Sequence, residues 1–91
     1  MDLKTLYRVI EERRGAPAEK SYTARLLQAG EDEIVKKIGE EAIEVILAAK
    51  GQGDVRVVEE VSDLAYHVLV LLAARRIPLE AIEAELDRRH R

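Results

Sequence analysis

Apolar residues along this chain recur every three or four positions and nowhere alternate for long, which is the pattern of amphipathic helices and not of strands. Turn signals are few and fall at Gly15-Ala16-Pro17, Gly51-Gln52-Gly53 and Ile77-Pro78. The stretches between them are rich in Ala, Leu, Glu, Arg and Ile, most of them strong helix formers. The pattern predicts four main helices, over 2–14, 31–50, 54–76 and 78–90, and a short helical turn around 23–29 ended by Gly30. Asp2, Thr23 and Asp54 are expected to cap helix starts, Gly30 and Gly51 to lie just past helix ends, and Pro78 to open the last helix. The fold class is therefore all-α. The Gly51-Gln52-Gly53 connection is short enough to make the second and third helices a central antiparallel hairpin.

Within that hairpin, Ile34, Val35, Ile38, Ala42, Val45, Ile46 and Ala49 form one stripe at 100° per residue, with Ile43 and Leu47 on the opposite side. The third helix carries Val57, Val58, Val61, Leu64, Ala65, Val68 and Leu72, and its segment 68–74 is apolar all round. Seven residues are far short of the ~20 needed to span a bilayer, so no membrane segment is expected. A chain of 91 residues gives one domain, 1–91, and little material to cover so apolar a helix. A homodimer of helical bundles is the expected arrangement, the alternative being that segment 68–74 is simply a central core helix.

Composition narrows the function. With 15 Lys plus Arg against 18 Asp plus Glu, the net charge is −3, which disfavours a general nucleic-acid binder. The absence of Cys removes disulfides, thiolate nucleophiles and Cys-ligated zinc. The N-terminus has no apolar signal segment, so a cytoplasmic location is expected.

The chemistry concentrates in acids. Glu41 and Glu44 are three apart and share a helix face, and Glu60 and Asp63 repeat the spacing on the next helix. Counted from Gln52, Glu44 and Glu60 are each eight residues away and Glu41 and Asp63 each eleven. In an antiparallel hairpin the two pairs lie at matching depths, about 12 and 16 Å from the turn. Four carboxylates on one side of a hairpin repel one another unless a cation neutralises them. Oxygen ligands alone select a hard ion, Mg²⁺ with Mn²⁺ as a substitute, and Mg²⁺ commonly completes its shell with substrate phosphates. Lys36 and Lys37 stand beside the acids, either to meet phosphate or to pair with Glu40 and Glu41 at i,i+4.

The arrangement Glu41-x-x-Glu44 followed by Glu60-x-x-Asp63 resembles the ExxE…ExxD metal motif of the MazG-type all-α nucleoside triphosphate pyrophosphohydrolases. The blocks Ser21-Tyr22-Thr23-Ala24-Arg25-Leu26-Leu27, Lys36-Lys37-Ile38-Gly39-Glu40-Glu41-Ala42 and Glu60-Val61-Ser62-Asp63-Leu64-Ala65-Tyr66-His67 resemble, more narrowly, the phosphoribosyl-ATP pyrophosphohydrolases. The likeness runs over essentially the whole chain. It departs at Lys20, where the family usually has Gly or another small residue, and this bears on the loop before Ser21.

The resemblance implies a four-to-five-helix MazG-like bundle and hydrolysis of phosphoribosyl-ATP to phosphoribosyl-AMP and pyrophosphate, the second step of histidine biosynthesis. On that reading Glu41, Glu44, Glu60 and Asp63 hold Mg²⁺, and one carboxylate, with Glu40 in reserve, activates water. Lys36, Lys37 and Arg25 are candidates for phosphate, and Ser21, Tyr22 and Thr23 offer hydroxyls and backbone N–H groups at a helix start. Simple capping is the competing role for Ser21 and Thr23. His67, one turn beyond Asp63, reads as a hydrogen-bonding residue at the core edge in preference to a catalytic base. Two other functions are compatible with the acids: a house-cleaning hydrolase of nucleoside triphosphates, and a non-catalytic helical dimerisation module.

Overall fold

The computed structural model describes residues 1–90 and is helical throughout, with no strand among the described residues. The helices are α1 (Leu3–Glu12), α2 (Tyr22–Ala29), α3 (Glu31–Gly51), α4 (Asp54–Ala74) and α5 (Leu79–Arg89), and a single 3₁₀ turn, Ala18–Lys20, precedes α2. That turn is not among the predicted elements. No described helix is long and apolar enough to cross a membrane.

The helix ends follow side-chain and backbone chemistry. Asp2 caps α1 as expected, accepting from the Thr5 N–H at 2.8 Å. At α2 the cap is Ser21, which accepts from the Ala24 N–H at 3.1 Å, and Thr23 lies inside the helix. Asp54 is likewise the first helical residue, behind Gly53 at φ 90°. Pro78, with ψ 149°, stands just before α5 and not within it. Gly30 closes α2 and opens α3 at φ 101°, a left-handed backbone that lets two helices abut without a loop. Gly51 is the last residue of α3, not the one after it.

α4 stops at Ala74, two residues short of expectation, because Arg76 turns into the left-handed region at φ 56°. The Ile77 N–H then reaches the Leu72 carbonyl at 2.9 Å and the Arg76 N–H the Ala73 carbonyl at 3.1 Å, a Schellman closure without glycine.

α3 and α4 form the antiparallel hairpin, with α1 and α2 laid against the end far from its turn. The core there joins Tyr7 and Ile10 of α1, Leu26 of α2, Ile34 of α3, and Leu69, Val70, Leu72 and Ala73 of α4. The all-apolar segment 68–74 is thus covered largely within the chain, and only its Val68 is exposed. The stripes divide differently from the periodicity. Ile34 is fully buried, whereas Val35 and Ile46 of the same expected stripe, and Val58 and Val61 of its partner, are exposed. The cause is length: each hairpin helix has 21 residues, and α1 and α2 cover only the distal part. Two side chains lock this end: the Tyr7 hydroxyl donates to the Ile77 carbonyl at 2.5 Å and the Arg14 guanidinium to the Ala73 carbonyl at 2.6 Å. α5 buries none of its residues; its Leu79 alone packs at the edge of the core.

Candidate active site

Halfway along the hairpin, Glu41 of α3 meets Glu60 and Asp63 of α4, with one carboxylate oxygen from each lying within 4.8 Å of the others. Glu60 is buried, Glu41 half-buried and Asp63 exposed, so the group opens to solvent on one side. The matched depth of Glu41 and Asp63 follows from the short turn. Glu60, one helical turn from Asp63, completes the set. Glu44, the fourth acid of the predicted constellation, is half-buried one turn further along α3 and is not among these three.

Burial holds the Glu41 carboxyl above its ordinary value, and the acids Asp63 and Glu60 push it the same way, against the pull of His67 and Lys37. A group of acids that raises its own proton affinity is also one that a divalent cation would relieve. The donors are all carboxylate oxygens, from side chains on two rigid helices, and this chemistry fits a hard cation such as Mg²⁺.

α2 closes one flank. The Tyr22 hydroxyl lies 3.0 Å from His67 Nε2, and its ring stacks on Tyr66 at 6.2 Å between centroids. His67 Nδ1 lies 2.9 Å from the Asp63 carbonyl oxygen and 3.5 Å from Glu41 Oε1. Thr23 Oγ1 is hydrogen-bonded to the Tyr66 hydroxyl. Burial raises the Tyr22 phenol above its usual value, so it keeps its proton at neutral pH.

The expected phosphate ligands divide. Lys37 is half-buried and Arg25 lies 5.2 Å over the Tyr22 ring, and both line a cleft of about 330 Å³ with Tyr22, Leu26, Ala29 and Glu33. Lys36 and Lys20 are exposed. The i,i+4 pairs allowed by spacing give way to Lys37–Glu40 at 3.6 Å, which leaves Glu40 on the solvent side, apart from the three acids. Ser21 and Thr23 both have their hydroxyls engaged within the protein.

Sequence reasoning missed Arg56. One turn before Glu60, its guanidinium donates to Glu60 at 2.5 Å and to Glu59 at 2.6 Å, so it stands at the rim of the acid group. The i,i+4 spacing to Glu60 was the available signal.

A sequence profile of the phosphoribosyl-ATP pyrophosphohydrolase family matches residues 3–90. Among similar proteins, the phosphoribosyl-ATP pyrophosphatase of Trichlorobacter lovleyi is 55% identical over 87 residues, covering 96% of this chain and 81% of that protein. Those of Geobacter metallireducens and Listeria monocytogenes are 55% and 53% identical, over 80% and 84% of their lengths and 96% of this chain. Since the profile spans all five helices and includes every residue of the acid group and of the flank that closes it, the chain belongs to the phosphoribosyl-ATP pyrophosphohydrolase family.

Proposed function

We propose that the chain hydrolyses phosphoribosyl-ATP to phosphoribosyl-AMP and pyrophosphate, the histidine-biosynthetic step, by attack of water at the α–β phosphoanhydride. The observation that carries the reading is the convergence of Glu41, Glu60 and Asp63 from two facing helices of a family member. Glu44 joins them as a ligand from the next turn of α3. Mg²⁺, or Mn²⁺ in its place, held by these residues supplies charge neutralisation to the phosphate oxygens. A carboxylate of the set not engaged with the ion orients the attacking water and takes its proton, with Glu40 as the reserve.

The chain's cations hold the rest of the substrate. Lys37 and Arg25 project into the cleft beside Tyr22 and suit phosphate oxygens, and Lys36 and Arg56 stand at the rim. With the Ala24 N–H taken by Ser21, the N–H groups of Tyr22 and Thr23 at the start of α2 remain for an anion.

The protein acts as a homodimer in this reading. Ile43, Ile46, Leu47, Val55, Val58 and Val61 are exposed on the turn half of the hairpin, and an apolar groove of about 360 Å³ between α1, α4 and α5 continues that surface through Val61 and Val68.

The test is pyrophosphate release from phosphoribosyl-ATP, with deoxynucleoside triphosphates in parallel, each with Mg²⁺ and with EDTA. Turnover of phosphoribosyl-ATP alone, abolished by EDTA and lowered at least about 100-fold in Asp63→Asn, is the expected result. Turnover of the triphosphates instead would assign a house-cleaning hydrolase, and full activity in EDTA would sink the metal site.

A further inference from the structure

His67 is the most buried ionisable side chain beside the acid group, at 6% exposure, and it touches three elements of the site at once. The Asp63 carbonyl can only accept, so the Nδ1 that faces it at 2.9 Å carries the proton. The same N–H edge faces Glu41 Oε1 at 3.5 Å. In a neutral ring Nε2 is then the acceptor, and the Tyr22 hydroxyl, 3.0 Å away, is its donor. The ring is fixed in its plane by edge contacts with Tyr66 and Tyr22, at 5.0 and 5.9 Å between centroids. Every polar atom of the imidazole is therefore committed, and each commitment runs to a part of the site: α2 through Tyr22, α4 through Asp63, and α3 through Glu41.

We infer that His67 is a positioning residue, an imidazole protonated on Nδ1 that orients the Glu41 carboxylate for metal and ties Tyr22 of α2 to it. This rests on the reading of Glu41, Glu60 and Asp63 as the metal ligands. The effect of the ring on hydrolysis passes through Glu41 and through the placement of the Tyr22 flank. Groups that orient metal ligands in this way typically alter metal affinity or activity by about 10–100-fold when removed.

The test compares the wild type with His67→Leu, His67→Asn and Tyr22→Phe, with Asp63→Asn as the control. Binding of Mn²⁺ is measured by the electron-spin resonance of the free ion, in the absence of substrate. Asn keeps an N–H near the position of Nδ1, and Leu does not. The expected result is Mn²⁺ affinity at least about tenfold weaker in His67→Leu and within about threefold of wild type in His67→Asn. Tyr22→Phe is expected to raise KM more than it lowers kcat or Mn²⁺ affinity. Unchanged Mn²⁺ affinity in a folded His67→Leu would overturn the inference, as would equal losses in the Leu and Asn variants. Should His67→Leu fail to fold, ring nitrogen shifts of wild-type His67 at pH 8 give a second reading. A proton on Nδ1 supports the assignment and a proton on Nε2 alone refutes it. Failure of the wild type itself to bind Mn²⁺ would instead strike the metal reading on which the inference stands.

Discussion

Arg56 donates to Glu60 across one turn of α4 at 2.5 Å, placing a permanent cation on a carboxylate that also faces Glu41 and Asp63. The guanidinium is exposed, and in this arrangement it competes with a metal ion for Glu60. Arg56→Gln is expected to lower the Mg²⁺ concentration needed for half-maximal thermal stabilisation by severalfold, with the apo melting temperature little changed. A higher Mg²⁺ requirement would show that the arginine assists the metal and does not oppose it.

Glu41 gives a pH signature with a definite sign. Its carboxyl titrates above the ordinary carboxylate value in the folded chain, chiefly through burial, so the folded state binds its proton more tightly than the unfolded state does. That contribution to stability is present in acid and is lost as pH rises through the folded-state value. Metal-free Glu41→Gln is therefore expected to melt a few degrees above the metal-free wild type at pH 7, the gap closing as pH falls into the carboxylate range. It is also expected to lose Mg²⁺-dependent hydrolysis. An equal or lower melting temperature at pH 7 would show that the ionised carboxylate is not a burden on the fold.

Ile34 anchors the distal core and is fully buried. Ile34→Ala is expected to cost about 2–5 kcal/mol, a large fraction of the stability of so small a chain, and chemical denaturation measures it. Ile46 lies on the same helix but is exposed. With the proposed homodimer formed through this face, Ile46→Asp is expected to leave the helical content intact and to give a monomer in sedimentation where the wild type is a dimer. A wild-type monomer would refute the dimer, and a dimer persisting in the variant would place the interface elsewhere.

Arg76 adopts φ 56°, a conformation that suits glycine, to close α4. Arg76→Gly is expected to stabilise the fold by roughly 1 kcal/mol, read from denaturant midpoints, because it removes the cost of a side chain there. Arg76→Val is expected to do the opposite.

Much of this architecture is legible in the residues. The hairpin and the meeting of Glu41 with Asp63 follow from a three-residue turn signal and a fixed rise per residue. Caps are less legible, because Ser21 and Thr23 carry the same chemistry two positions apart and only the backbone path selects Ser21. The end of α4 bears no glycine, so nothing in the chain announces Arg76 as its terminator. The division of the apolar stripes is also hidden. Periodicity marks Ile34 and Ile46 alike, and only the short reach of α1 and α2 along the hairpin makes one core and the other surface. Arg56 escapes for a related reason: a charge on a helix takes its meaning from what faces it, whereas His67, read as a hydrogen-bonding residue at the core edge, is found buried and hydrogen-bonded.

α5 buries none of its side chains, and the ion pairs of Arg88 and Arg89 with Glu85 all lie within the helix. Such contacts hold a helix together without fastening it to its neighbours. In amide hydrogen exchange the chain is thus expected to separate into two cooperative units. The amides of α5 exchange through local opening, at a free energy well below that of global unfolding. Those of α4 around Val70 exchange only when the whole molecule unfolds. Since no residue of α5 belongs to the acid group or to the cleft beside it, that opening passes without disturbing the chemistry.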